Sequence, residues 1–133
     1  MSDIPPQLSS VVKEDISNIL AKCRGEIDSL RGSTVLITGS TGFLARELTE
    51  ALLEAGSSGK DIKLVLTSRN PDKVSAVFGD RLGSEVEILP IERIDAYPDR
   101  IDYIVHAAAP CDPRLNDQSP YRTIVDINTL MQK

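Results

Sequence analysis

A chain of 133 residues, 41% of them hydrophobic, is long enough to bury one core and calls for no second domain. Its net charge of −5 disfavours nonspecific nucleic-acid binding, which relies on clustered Lys and Arg against phosphate. The start Met-Ser-Asp-Ile-Pro-Pro has no basic region or apolar signal core, and no stretch approaches the ~20 apolar residues of a membrane span, so a soluble cytoplasmic protein is expected. Cys23 and Cys111 are far apart and lack a C-x-x-C partner, which points to ordinary reduced thiols and to no metal site.

After a loose leader marked by Pro5 and Pro6, the residues Val12, Ile16, Ile19, Leu20, Cys23, Ile27 and Leu30 recur every three or four positions. They predict one amphipathic helix from Ser9 or Ser10 to Gly32, with Arg31 at its negative end. Gly25 weakens such a helix by about 1 kcal/mol relative to Ala, so packing must hold it, either on the rest of this chain or on another subunit. Residues 1–32 therefore form a leader and helix ahead of a domain at 33–133.

The run from Thr34 to Ala45 joins an apolar strand to a glycine turn and then to a helix. Val35, Leu36 and Ile37 suit a strand covered on both faces in a parallel sheet. Gly39 suits the tight turn and Gly42 a close approach of backbone to phosphate. Ala45 lets the new helix pack on the strand. A helix from about Thr41 would aim its free N–H groups and positive dipole end at an anion, as a dinucleotide pyrophosphate requires. Phe43, Leu44, Leu48, Ala51, Leu52 and Ala55 give that helix an apolar face, and Gly56 is placed to end it in a left-handed cap. A P-loop would need Gly-Lys-Ser/Thr where this chain has Gly-Phe-Leu.

Further along, residues 61–68 read as a second strand, ending Thr67-Ser68-Arg69-Asn70. An NAD site offers Asp or Glu at that point to the ribose 2′-hydroxyl. Here Arg69 can instead pair with a 2′-phosphate and Ser68 can add a hydrogen bond, which favours NADP; the alternative is a solvated surface charge. Asn70-Pro71 caps and starts a helix that runs to Phe78, before Gly79 breaks it. Residues 86–90 form a third strand and 101–106 a fourth, and Ser119-Pro120 starts a last helix with Ile124, Val125, Ile127, Leu130 and Met131 on one face.

Three of these segments together resemble the extended short-chain dehydrogenase/reductases, within them the NAD-dependent epimerase/dehydratase group acting on nucleotide sugars. Thr38-Gly39-Ser40-Thr41-Gly42-Phe43-Leu44-Ala45 resembles T-G-x-x-G-F-[IL]-G, with Ala45 in place of the last glycine. Asp102-Tyr-Ile-Val-His-Ala-Ala-Ala109 resembles D-x-V-[IF]-H-x-A-A, and Asp126-Ile-Asn128-Thr129 is similar to V-N-x-x-G-T without its glycine and final threonine. The likeness spans roughly residues 10 to 130. It implies an α/β fold, a Rossmann-type doubly wound parallel sheet of strand order 3-2-1-4 with an added N-terminal helix.

The resemblance also implies NAD(P) as cofactor. The binding residues are then Gly39, Ser40, Thr41, Gly42, Phe43 and Leu44 at the turn, with Ser68 and Arg69 at the second strand. Ala107, Ala108 and Ala109 would lie against ribose and pyrophosphate, and Asn128 would support the active site or else be exposed. The family's adenine-contacting Asp is absent from Leu89-Pro90-Ile91-Glu92, which leaves Ile91 as an apolar lid over the ring. His106, the lone histidine, is expected to be structural rather than an acid or base.

The family's chemistry uses Tyr-x-x-x-Lys, yet Tyr97, Tyr103 and Tyr121 are followed four residues on by Ile101, Ala107 and Val125. No catalytic residue is assigned. The expectation is the cofactor-binding part of a nucleotide-sugar epimerase or dehydratase, cut before its catalytic region and inactive alone. Its partners would be the dinucleotide, a nucleotide sugar in the complete enzyme, and a second copy through an exposed sheet edge. The alternatives are a noncatalytic NAD(P)-sensing module and the nucleotide-binding part of a thioester reductase.

Overall fold

The computed structural model describes residues 8–108 and 113–131. Four parallel strands, β1 (Thr34–Thr38), β2 (Lys63–Ser68), β3 (Val86–Pro90) and β4 (Tyr103–His106), form one sheet in the order β3-β2-β1-β4. This is a partial Rossmann-like α/β fold. Helices α1 (Ser10–Lys22) and α2 (Arg24–Ser29) precede the sheet, α3 (Phe43–Ser57) and α4 (Pro71–Phe78) connect its strands, and α5 (Pro113–Gln118) and α6 (Pro120–Met131) follow it.

The alternation of side chains along the strands divides the core between the sheet's two faces. Val35, Ile37, Leu64 and Leu66 meet Leu52, Leu53, Val74 and Phe78 on the side of α3 and α4. Leu36, Val65 and Leu89 face the other way, under Ile94, Tyr97 and Ile101. A polar tie reinforces the first side: the buried Glu50 carboxylate of α3 accepts two 2.7 Å hydrogen bonds from Arg81, which also donates to the Val77 carbonyl at 2.8 Å. The N-terminal stripe packs on the same side, with Ile27 inside the core cluster and Leu20, Cys23 and Leu30 against it.

Several boundaries differ from the sequence-based expectation. The single helix to Gly32 is broken at Cys23, whose ψ of 27° turns the chain, and it ends at Ser29, so Arg31 lies beyond it. Ser9 caps its start by accepting from Val12 N–H at 3.3 Å. Helix α3 starts at Phe43 rather than near Thr41, with extended Gly42 as its N-cap. Gly56 lies inside α3 and is no left-handed cap; Gly59, at φ +82°, takes that conformation. Strand β2 starts two residues late because Asp61 has φ +53°, outside any strand conformation. Strand β4 starts at Tyr103; just before it the Asp102 carboxylate accepts from Thr34 N–H at 2.9 Å and the Asp102 N–H donates to the Thr34 carbonyl at 3.0 Å.

The apolar face expected for α3 also shifts. Phe43 and Leu44 are 90% and 76% exposed, and Leu48 is exposed with them. Ala51, Leu52 and Ala55 of the expected face are buried, joined by Ala45, Thr49 and Leu53, because small residues let the helix axis approach the sheet. On α6, Tyr121, Ile124 and Val125 are exposed. Ala109, Cys111 and the side chains of Ile127, Asn128, Leu130 and Met131 lie outside the described residues.

Candidate nucleotide-binding cleft

Strand β1 delivers its last residue, Thr38, to the carboxyl edge of the sheet, where Gly39 turns the chain at φ +65°. The turn closes through a 2.9 Å bond from Gly42 N–H to the Gly39 carbonyl, and the first helical bond of α3 follows from Arg46 N–H to the Gly42 carbonyl at 2.8 Å. No side chain caps this end of α3. The first-turn N–H groups are therefore left to an external acceptor, and the helix dipole makes an anion the favoured one.

A cleft of about 340 Å³ opens in front of that turn, lined by residues from the carboxyl end of every strand. Gly39, Thr41 and Gly42 come from the turn after β1, Ser68, Arg69 and Asn70 from the end of β2, Ile91 from the end of β3, and Ala107 and Ala108 from beyond β4. Lys73, on the first turn of α4, completes it. The chain runs from β1 through β2 to β3 on one side and then crosses back to place β4 on the other side of β1, so the cleft lies at the point where the winding of the sheet reverses. Open parallel sheets bind ligands at such points.

The polar groups around the cleft are held by the chain itself. Asn70 caps α4 by accepting from Lys73 N–H at 3.4 Å, and its own N–H donates to Ser68 Oγ at 3.0 Å. Thr38 Oγ1 accepts from Ala107 N–H at 3.1 Å and Ala108 N–H at 3.2 Å, and shares a 2.8 Å hydrogen bond with His106 Nδ1. Beneath the turn, the hydroxyls of Ser40 and Thr67 are buried without a hydrogen-bond partner among the described residues. Two cations, Arg69 and Lys73, line the cleft, and none of the described lining residues is a carboxylate.

Of the residues singled out in the sequence, the fold brings Gly39, Thr41, Gly42, Ser68, Arg69, Ile91, Ala107 and Ala108 to this one cleft. Ser40 is buried below it, while the Phe43 and Leu44 side chains stand in solvent. Asn128 lies in α6, its side chain outside the described residues, as is Ala109. Asn70 was legible only as a helix cap and Lys73 not at all as a lining residue. The signal for both was the capped helix: three residues beyond its cap, Lys73 lies on the first turn beside the end of β2.

The glycine turn, the uncapped amino end of α3 and the cleft across the strand ends define a dinucleotide-binding α/β domain. Residues 35–133 match the NAD dependent epimerase/dehydratase family, and the chain belongs to that family. The family is NAD-dependent, so the cofactor of this module is a nicotinamide dinucleotide. Among curated proteins it is similar to the ketoreductase azaE of Aspergillus niger, at 34% identity over 88 residues. That match covers 57% of this chain and 25% of the relative, so the chain spans about a quarter of the relative's length. The described helices include none long and apolar enough to cross a membrane.

Proposed function

We propose that the cleft takes NADP in preference to NAD. The observation that carries this is the end of β2, where Ser68, Arg69, Asn70 and Lys73 line the cleft and no carboxylate stands among these residues. An Asp or Glu there would accept from a ribose 2′-hydroxyl and repel a 2′-phosphate. Arg69 offers paired N–H groups to phosphate oxygens, Lys73 a point charge, and Ser68 a hydroxyl. In this reading the Gly39–Gly42 turn and the amino end of α3 hold the pyrophosphate. Ile91 covers the adenine, and Ala107 and Ala108 give ribose and pyrophosphate a floor without bulky side chains. The family resemblance adds Ala109 to that floor and gives Asn128 a supporting role.

When bound, the nicotinamide dinucleotide supplies or removes a hydride. Residues of this chain hold and orient it, and none of the three tyrosines has a lysine four residues on to form the family's proton-transfer pair. We place the module in an extended short-chain dehydrogenase/reductase acting at a carbon that alternates between hydroxyl and carbonyl. A nucleotide sugar is the substrate class implied by the family resemblance. A ketone is the second reading, and the paired cations favour it: an epimerase returns the hydride to its own substrate, whereas net reduction consumes reduced cofactor, which NADP commonly supplies. The ketoreductase relative points the same way.

Calorimetric titration of the protein with NADP and with NAD tests the proposal. Affinity at least tenfold higher for NADP is expected. Equal affinities, or a preference for NAD, would refute the cofactor assignment, and binding of neither would refute the cleft.

A further inference from the structure

The single histidine has no place in the cofactor contacts above, yet it is hydrogen-bonded into the floor of the cleft. Thr38 and His106 are direct neighbours across the β1–β4 pairing, with Thr38 Oγ1 2.8 Å from His106 Nδ1. The same oxygen receives the N–H groups of Ala107 and Ala108 at 3.1 and 3.2 Å, the Ala107 N–H being shared with the Thr38 carbonyl at 3.2 Å. Backbone N–H groups can act only as donors, and a hydroxyl oxygen has two lone pairs, so these two bonds use its accepting capacity. What the hydroxyl has left to give is its proton, and His106 Nδ1 is the atom placed to accept it. An imidazole that accepts at Nδ1 is neutral and carries its hydrogen on Nε2.

We infer that His106 is a positioning residue for the dinucleotide cleft: its unprotonated Nδ1 orients the Thr38 hydroxyl, whose oxygen then clamps the Ala107–Ala108 backbone under the glycine turn. The clamp acts on the site because the clearance there is small. A Cβ built on Gly39 would lie 2.8 Å from Ala108 Cα and 3.0 Å from the Ala107 carbonyl carbon, so the loop and the turn are already in backbone contact. Both alanines line the cleft, and among the described hydrogen bonds the Ala108 N–H has Thr38 Oγ1 as its acceptor. Removal of the imidazole acceptor frees the hydroxyl to rotate, and the loop then loses a directed partner in the part of the cleft that meets the cofactor. The inference rests on the reading of the cleft as a dinucleotide site, but the hydrogen-bond chain is measurable without cofactor.

Nitrogen NMR of the protein labelled with ¹⁵N-histidine reads one imidazole. In slightly alkaline buffer Nδ1 is expected to be unprotonated and hydrogen-bonded, with the hydrogen on Nε2. In His106→Leu, exchange of the Ala108 amide is expected to accelerate and NADP affinity to fall, each about fivefold, the effect of one ordinary hydrogen bond. His106→Asn, which can present its carboxamide oxygen near the position of Nδ1, should restore both. A hydrogen on Nδ1, or unchanged Ala108 exchange in a folded His106→Leu protein, overturns the inference. Should the leucine variant fail to fold, the nitrogen spectrum of the unaltered protein decides. Failure of the unaltered protein to bind any dinucleotide refutes the cofactor proposal, while the nitrogen spectrum and amide exchange still judge the clamp.

Discussion

A Cβ atom on Gly39 would stand 2.8 Å from both the Cα and the backbone nitrogen of Ala108, so the turn after β1 and the loop after β4 meet backbone to backbone. Gly39 also holds φ +65°, a conformation that strains a β-branched residue by about 1–3 kcal/mol. Gly39→Val therefore has to move either the turn or the loop, and both line the cleft. Dinucleotide binding should be lost in calorimetry, with a lowered melting temperature. Unchanged affinity in a folded variant would show that the phosphate site lies elsewhere.

Cofactor choice is predicted to rest on charge at the end of β2. Arg69→Ala should weaken NADP binding by about 1–3 kcal/mol, and Lys73→Ala by less, because a lone ammonium makes no bidentate contact. NAD affinity should hardly change in either variant. Equal losses for the two cofactors would remove the 2′-phosphate from this position.

The Glu50–Arg81 pair makes a prediction about stability rather than binding. The Glu50 side chain is 2% exposed and Arg81 24%, so Arg81→Met leaves a carboxylate buried without its cation. A loss of about 2–4 kcal/mol in urea denaturation is expected, below the upper range for deeply buried pairs because water reaches the guanidinium. Glu50→Leu combined with Arg81→Met should recover most of it, since the orphaned charge is then gone. A double variant as unstable as Arg81→Met would show that the charge is not the cause.

At acid pH the contact between α2 and the loop after α3 should weaken. The hydrogen bond from Lys60 holds the Asp28 carboxyl below its ordinary value of 3.8, opposed by partial desolvation and aided by the charges of Lys60, Arg31 and Arg24. A depressed carboxyl stabilises the fold above that ordinary value and loses its contribution as pH falls through the folded value beneath it. The group is solvent-exposed, so the effect is small. Asp28→Asn should be slightly less stable than the unaltered protein near neutrality and should converge with it in melts as pH falls beneath the ordinary carboxyl value of 3.8. A stability difference that persists undiminished in acid would contradict this.

Strand β4 pairs with β1 alone among the described strands, and its outer edge carries Ile104 at 64% exposure. Unpaired edges with apolar side chains favour pairing with another chain. Light scattering on a sizing column should show the 133-residue chain self-associating as concentration rises, and Ile104→Lys should suppress it. A monomer at all concentrations would mean that the edge is protected.

The sequence by itself determined the elements whose cause is local. The β1 run Val35-Leu36-Ile37 is apolar on both faces, Asn70-Pro71 is a complete start signal for α4, and the glycines at 39 and 42 suit a turn that ordinary side chains would strain. From such units the strand order 3-2-1-4 followed by resemblance to one family, as did the gathering of Ser68, Arg69, Ile91 and Ala107 at the strand ends. Only the tertiary structure decided which face of α3 is buried, because Phe43 and Leu44 have the hydropathy of core residues but no described residue covers them. The pairing of β4 with β1 and the arrival of Lys73 in the cleft likewise depend on partners distant in the chain or on the path of the backbone. Composition and periodicity report what a residue prefers; where it ends up depends on which surfaces the other elements leave to be filled.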